Sequence, residues 1–346
     1  MTRVLPRLAA ATRPALVDRF GRRFRYLRAS VTDRCNLACS YCTPARACAP
    51  PASGQLSWDE LDFLVDVAVN DLGAEALRIT GGEPLVRPGL ARWIRGLRRH
   101  EALRDVALTT NGVQLARMAS ALRDAGLDRV NVSLDTLDPG AFARVTRGGS
   151  LARSLEGIDV ALGLFRRVKI NTVAVRSLVL DALPALVRFS HEKQVEVRFI
   201  ELMPLLGQQE YFRREFVPVD ELKAALASLG VGLVPDGDGP GPSSPTGYGP
   251  ATTFSVPGTR ARLGFISQIS SAKCLACNKL RLTSDGALRP CLLMPDEVDL
   301  APAIQARDRA TVARAIRHQF LLREQGHDGT MALGGPVGRP MRATGG

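Results

Sequence analysis

The chain has 346 residues, 45% of them hydrophobic and 23% charged, enough for one large α/β domain or one domain with an appendage. Its formal net charge of +12 invites anionic partners, but the cations are dispersed and only 5% of residues are aromatic, which argues against a nucleic-acid binder built on stacking platforms. No apolar run reaches the ~18 residues of a membrane span, and seven clustered cysteines, an odd number in a chain of this size, argue against a disulfide framework.

Residues 1–22 read as a basic, Ala-rich extension without the apolar core of a secretory signal, with an organellar targeting segment as the alternative. From residue 26 strand-like and helix-like pieces alternate. "YLRASV" is a short apolar run. "SWDELDFLVDVAVNDLG" opens on Ser57 as N-cap, with Glu60 three residues on, and stops at Gly73. "AEALRIT" is a strand ending in the turn "GGEP", and "PGLARWIRGLRR" is a helix. "LRDVALTT", "QLARMASALRDAG", "LDRVNVSLD", "SLARSLEGIDVALGLF", "RVKINTVAV", "LDALPALVRFSHE" and "QVEVRFIEL" continue the alternation. Six or so such repeats predict parallel strands with helical crossovers, in a full or partial barrel. No GxGxxG follows the first strand, which counts against a dinucleotide site. Glu83, Thr109, Asn111, Ser133, Asp135, Asn171 and Glu201 all fall at or just past the C-terminal ends of these strands, the rim that carries chemistry in α/β barrels.

The rhythm changes near residue 218, with one more helix in "VPVDELKAALASLG". The predicted units are therefore 23–232 as a partial barrel, 233–250 as a Gly/Pro/Ser-rich loop, 251–335 as a C-terminal region and 336–346 as a flexible tail ending Gly-Gly. In the C-terminal region "TRARLGFIS" reads as a strand and "ARDRATVARAIRHQFLLREQ" as an Arg-rich helix.

Cys35, Cys39 and Cys42 have the spacing C-x3-C-x2-C. Three thiolates in one tight loop suit three corners of a cubane iron–sulfur cluster and leave the fourth iron open. A zinc site would want a fourth ligand, and with no histidine near the loop the closest is Cys48, which otherwise has no assigned role. The motif, with Tyr41 before the third cysteine, resembles the radical S-adenosylmethionine superfamily. That resemblance implies that Tyr41, Gly82, Glu83, Thr109, Asn111, Ser133 and Met203 contact S-adenosylmethionine. Gly82 lets backbone approach a ligand and Glu83 accepts from its ammonium.

Cys274, Cys277 and Cys291 form a second group, C-x2-C-x13-C, with Lys279, Arg281 and Arg289 close by. Cations beside an open-iron cluster suggest an anionic substrate; a zinc knuckle short of one ligand is the alternative. Taken together, "LRASVTDRCNLACSYC", "LRITGGEPLVRPGL", "LTTNG", "RVNVSLDTLD", "VKINTVAVR", "VRFIELMP" and "CLACNKLRLTSDGALRPCL" closely resemble the MoaA family, the GTP 3',8-cyclases of molybdenum cofactor biosynthesis. The likeness runs from about Arg22 to Cys291 and adds the terminal Gly345-Gly346.

The resemblance implies an α/β fold, an incomplete (β/α)6 TIM-like barrel whose open side the C-terminal region closes. It also implies two [4Fe-4S] clusters, S-adenosylmethionine, and usually a homodimer. The implied lyase reaction begins with a 5'-deoxyadenosyl radical taking hydrogen from C3' of GTP. The C3' radical then attacks C8, and reduction of the resulting aminyl radical gives (8S)-3',8-cyclo-7,8-dihydroguanosine 5'-triphosphate. Arg28, Arg78, Lys169, Arg198, Lys279 and Arg281 match GTP-binding positions, Arg281 beside the guanine-binding cluster, and Gly345 and Gly346 match a tail needed for turnover. Implied partners are an electron donor such as flavodoxin or ferredoxin with its reductase, and cyclic pyranopterin monophosphate synthase downstream. Nucleic acid and membrane are not among them, and the location is cytoplasmic. Departures from the family pattern are Ala76 for a phosphate-binding lysine, Lys279 for an arginine, and the stretches "CTPARACAP", "ISSAKC" and "RATGG". A peptide-modifying radical enzyme and a zinc-containing nucleic-acid binder are the rival readings. The first would want more C-terminal cysteines, the second a localised basic face.

Overall fold

The computed structural model describes residues 16–43, 54–204, 208–236, 250–271, 274, 277–293, 296–323 and 341. Cys48, Gly345 and Gly346 lie outside them.

The predicted alternation is present in chain order: β1 (Tyr26–Ser30), α1 (Trp58–Asn70), β2 (Ala76–Thr80), α2 (Leu90–Leu97), β3 (Asp105–Thr110), α3 (Leu115–Asp124) and β4 (Arg129–Ser133). Then come α4 (Pro139–Thr146), α5 (Leu151–Leu164), β5 (Val168–Ala174), α6 (Arg176–Lys193) and β6 (Glu196–Glu201). Local chemistry sets the boundaries. Ser57 and Glu60 form a full capping box on α1. α4, absent from the sequence reading, starts where the Asp138 carboxylate accepts from Ala141 N at 2.6 Å, with Pro139 in the first turn.

All neighbours from β1 to β6 pair in parallel. The C-terminal half supplies α7 (Gln209–Glu215), α8 (Val219–Ser228), β7 (Val234–Pro235), β8 (Thr252–Ser255), β9 (Arg262–Ile266), β10 (Lys279–Leu282), β11 (Ala287–Arg289), β12 (Val298–Asp299), α9 (Ala301–Gln305) and α10 (Arg309–Leu321). It covers both edges of the six-stranded half: β9 lies parallel to β6 and β10 parallel to β1, in a sheet ordered β12-β11-β10-β1-β2-β3-β4-β5-β6-β9-β8-β7. This is the expected partial barrel with a C-terminal region joined to it.

Alternation along the strands sorts the two faces. Val106, Leu108, Val130, Val132, Ile170, Val197 and Phe199 pack with the helices in the main core. Arg28, Arg78, Thr109, Arg129, Asn131, Lys169, Asn171 and Arg198 occupy the other face. The described end of the basic extension is itself packed. Leu16 and Phe24 are core residues, Phe24 meets Phe320 edge-on at 5.6 Å, and Val17 bridges to Arg23. Among the described residues no helix is long and apolar enough to cross a membrane.

Candidate active site

The first cysteine loop leaves β1 and is held from three sides. Ala38 N donates to Thr146 O at 3.2 Å and Ser40 N to Val145 O at 2.9 Å, fixing it on the end of α4. Gln208 Nε2 donates to Ser40 O at 3.1 Å. Gly82 N and Glu83 N donate to Thr32 O and Arg34 O at 2.7 and 2.8 Å. Cys42 N and Thr43 N both reach Cys39 O at 3.0 Å, curling the chain so that its thiols share one loop. Tyr41 Oη donates to Asp135 Oδ2 at 2.7 Å, and Asn111 Nδ2 lies 2.7 Å from Asn36 Oδ1 and 3.9 Å from Cys35 Sγ.

Burial, then Asp135, then Cys42 and Cys35 push the Cys39 thiol well up. Three thiolates cannot coexist here without a cation among them, and all three cysteines are free. Among the described residues no three His, Cys, Asp or Glu side chains are arranged around one metal ion. The donor set, three free thiols in one loop, fits a cationic, thiophilic group, as an iron–sulfur cluster is.

The "GGEP" glycines serve that loop. A methyl at Gly81 (φ +154°) would stand 2.4 Å from Thr32 O, and one at Gly82 would stand 2.3 Å from Arg34 O. The close backbone is the cysteine loop itself. Glu83 is 1% exposed and well supplied with donors: Oε1 accepts from Leu85 N at 3.0 Å and Thr110 Oγ1 at 2.7 Å, and Oε2 from Asn111 N at 2.7 Å. Burial pushes its carboxyl up to about 7 against those three hydrogen bonds.

Cations line the inner face. Arg281, Arg28 and Arg78 stand abreast in register on β10, β1 and β2. Burial, Arg281 and Arg78 hold Arg28 well below the usual arginine range. Arg78 is hydrogen-bonded through Nε to Tyr26 Oη and through Nη1 to Thr109 Oγ1 at 3.2 Å. Further round, Glu196 pairs with both Lys169 and Arg198, the former at 2.6 Å. Burial first, then Arg198, brings Lys169 down to about 8. So many like charges along one half-buried face favour an anion opposite them.

The second group lies at the start of β10 and beyond β11. Burial raises the Cys277 thiol, but Arg323 and Lys279 outweigh it and bring it to about 7, which favours the ligating thiolate. Lys279 is itself lowered to about 8 by burial. Two buried arginines grip the loop: Arg22 Nη1 donates to Cys274 O at 3.1 Å and Arg323 Nη1 to Cys277 O at 3.0 Å. Met203 packs with Leu292 and Leu293, and Cys291 and Met341 pack against them, which places Met203 on this side of the site.

A model of the radical SAM superfamily matches residues 29–190, and one described as Molybdenum Cofactor Synthesis C matches residues 195–329. A GTP 3',8-cyclase of Alkaliphilus oremlandii is 37% identical over 314 residues, spanning 90% of this chain and 94% of the relative. Another, of Heliobacterium modesticaldum, is 43% identical over 288 residues, spanning 82% and 86%. The chain belongs to the GTP 3',8-cyclase family. As a radical SAM member of that family it uses S-adenosylmethionine and iron–sulfur chemistry. Streptococcus suis SuiB bound to S-adenosylmethionine shares the fold, with a TM-score of 0.56 at 15% identity over 85% of this chain and 68% of that one.

The inner face also holds four polar or charged residues that the sequence reading passed over. Arg129 pairs with Asp105 through two bonds, at 2.7 and 2.5 Å. Tyr26 stands in register with Ala76. Glu196 and Asn131 complete the set. Counting back in twos from Ser133 reaches Asn131 and Arg129, and from Arg28 reaches Tyr26, so strand alternation was the available signal.

Proposed function

We propose that the chain converts GTP to (8S)-3',8-cyclo-7,8-dihydroguanosine 5'-triphosphate, the first step of molybdenum cofactor biosynthesis. The row Arg281–Arg28–Arg78, running from β10 beside the second cysteine group, across β1, which leads into the first, to β2, which leads into the "GGEP" turn, carries the reading. Cys35, Cys39 and Cys42 would hold one [4Fe-4S] cluster, and Cys274, Cys277 and Cys291 a second. The first cluster, when bound and reduced, would supply the electron that splits S-adenosylmethionine; the 5'-deoxyadenosyl radical would take the C3' hydrogen of GTP, C3' would join C8, and one further electron and a proton would convert the resulting aminyl radical to the product.

Tyr41, Gly82, Glu83, Thr109, Asn111, Ser133 and Met203 bind S-adenosylmethionine in this reading. Glu83 does so while bracing the cysteine loop, since a carboxylate has room for a further donor beyond its three. Arg28, Arg78, Lys169, Arg198, Lys279 and Arg281 neutralise the triphosphate and set the guanine, and this positioning accounts for much of the rate. Met341 packs beside Met203 and Cys291, and Gly345 and Gly346 act on the substrate in this reading. The unit 23–232 forms the radical and 251–335 binds the base; 1–22, 233–250 and 336–346 are its appendages. A flavodoxin or ferredoxin system supplies electrons, cyclic pyranopterin monophosphate synthase takes the product, and the enzyme acts as a cytoplasmic homodimer.

The test is anaerobic reconstitution with iron and sulfide, reduction, and comparison of GTP, ATP and no substrate. About eight irons per chain and a cyclised product from GTP alone are expected. 5'-Deoxyadenosine without any change to GTP would keep the radical step and remove the substrate.

A further inference from the structure

Two side-chain amide oxygens on the inner face accept no hydrogen bond among the described residues. Asn131 on β4 is 4% exposed and Asn171 on β5 is half-buried. Oδ1 of each is buried. Buried side-chain acceptors are nearly always satisfied in folded proteins, and a bare one is costly. Two on neighbouring strands point to donors that arrive with a ligand.

Their neighbours narrow its chemistry. Asn131 stands in register between Thr109 on β3 and Lys169 on β5. Asn171 stands between Ser133 on β4 and Arg198 on β6. Each amide thus has a cation on one side and a small hydroxyl residue on the other. An amide oxygen is a neutral acceptor, so it has nothing to offer a phosphate, which is also an acceptor. A hydroxyl-bearing group joined directly to a phosphate satisfies both residues of each pair. In a nucleotide whose phosphates sit on Lys169 and Arg198, that group is the ribose.

We infer that Asn131 and Asn171 bind the ribose hydroxyls of the nucleotide substrate, fixing the sugar whose C3' reacts. The inference rests on the reading that GTP is the substrate and that Lys169 and Arg198 hold its phosphates. The amides are binding residues that orient the sugar; neither carries a proton in the reaction.

The ribose of S-adenosylmethionine offers the same hydroxyls, so the experiment separates the two. Anaerobic, reconstituted wild type, Asn131→Ala and Asn171→Ala are dialysed to equilibrium against GTP, 2'-deoxy-GTP, 3'-deoxy-GTP, inorganic tripolyphosphate and S-adenosylmethionine. Wild type binds GTP about three- to tenfold more tightly than at least one deoxy analogue. Each variant loses about that factor for GTP, brings the GTP-to-deoxy ratio towards one, and leaves tripolyphosphate and S-adenosylmethionine unchanged. Thermal midpoints do not fall, because neither amide oxygen serves a protein partner. An intact ratio in both variants overturns the inference, as does loss of S-adenosylmethionine affinity in its place or a lowered midpoint. A wild type that binds no GTP at all removes the parent reading; normal GTP binding with unaltered ratios removes only this one.

Discussion

Replacing Gly82 by alanine tests whether the "GGEP" turn is the seat of the first cysteine loop. The new methyl would stand 2.3 Å from Arg34 O, 2.7 Å from Arg34 C and 2.8 Å from Asp33 O. All three are backbone atoms, so no rotamer change relieves the clash. Recovering ordinary contact requires the turn and the loop to part by about 1 Å, at about 1–3 kcal/mol. The bond from Glu83 N to Arg34 O, 2.8 Å long, is stretched by the same movement. The displaced residues include the neighbour of Cys35, and an error of about 1 Å at reacting groups costs on the order of 10²-fold in rate. Three readings on one preparation decide the matter: thermal midpoint, iron and sulfide after reconstitution, and 5'-deoxyadenosine release. The expected result is a midpoint lowered by about 1–4 °C, loss of about half the iron, and a rate down by about 10²-fold. Gly163→Ala in α5, where a methyl meets nothing within 4 Å, is the control and gains about 0.5–1 kcal/mol. A Gly82 variant indistinguishable from that control refutes the reasoning.

Three further substitutions probe the cations. Lys169, brought down to about 8 by burial and Arg198, sheds its charge as pH rises through that value, so the free protein binds triphosphate more weakly above it. GTP affinity measured by dialysis should fall by up to about tenfold between about pH 7 and 9, and Lys169→Arg should flatten the fall; a slope that survives in the arginine variant rules Lys169 out as its source. Tyr26→Phe removes the hydroxyl bonded to Arg78, and GTP affinity should drop about three- to tenfold with S-adenosylmethionine unaffected; unchanged GTP affinity would sink this role. Arg22→Ala strips Asp18, fully buried at its side chain, of its cation and frees Cys274 O. It should cost about 3–5 kcal/mol and lower iron from about eight to about four per chain, whereas full iron loading would show the grip on the second loop to be dispensable.

The six β-then-α repeats, the Ser57 cap and the two cysteine spacings were legible because each is written within a few consecutive residues. The 7-residue α7 is too short to show a helical period, and α4 was passed over although Asp138-Pro139 marks its start. The hairpin β10–β11 was read only as the spacer between cysteines. What no local pattern reveals is that Lys279 lies beside Tyr26, or Arg262 beside Glu196. Such pairings depend on which edges the first six strands leave open. For the site, residue types marked the rim, and the resemblance marked the cations. The Arg22 grip was hidden because its partners are backbone carbonyls, which have no letter in a sequence.

The order of the sheet also governs how the protein comes into being. β1 to β6 leave the ribosome first and can pair among themselves, yet both outer strands of that set, β1 and β6, wait for β10 and β9 from the other end of the chain. Until the last quarter is synthesised, the nascent protein carries two open parallel edges, the kind of surface that recruits strands from other chains. A product truncated before residue 262 keeps both edges bare and lacks the second cysteine group as well. The chain is therefore a single unit of quality control, in which the segment that completes the chemistry is the one that makes the earlier half safe.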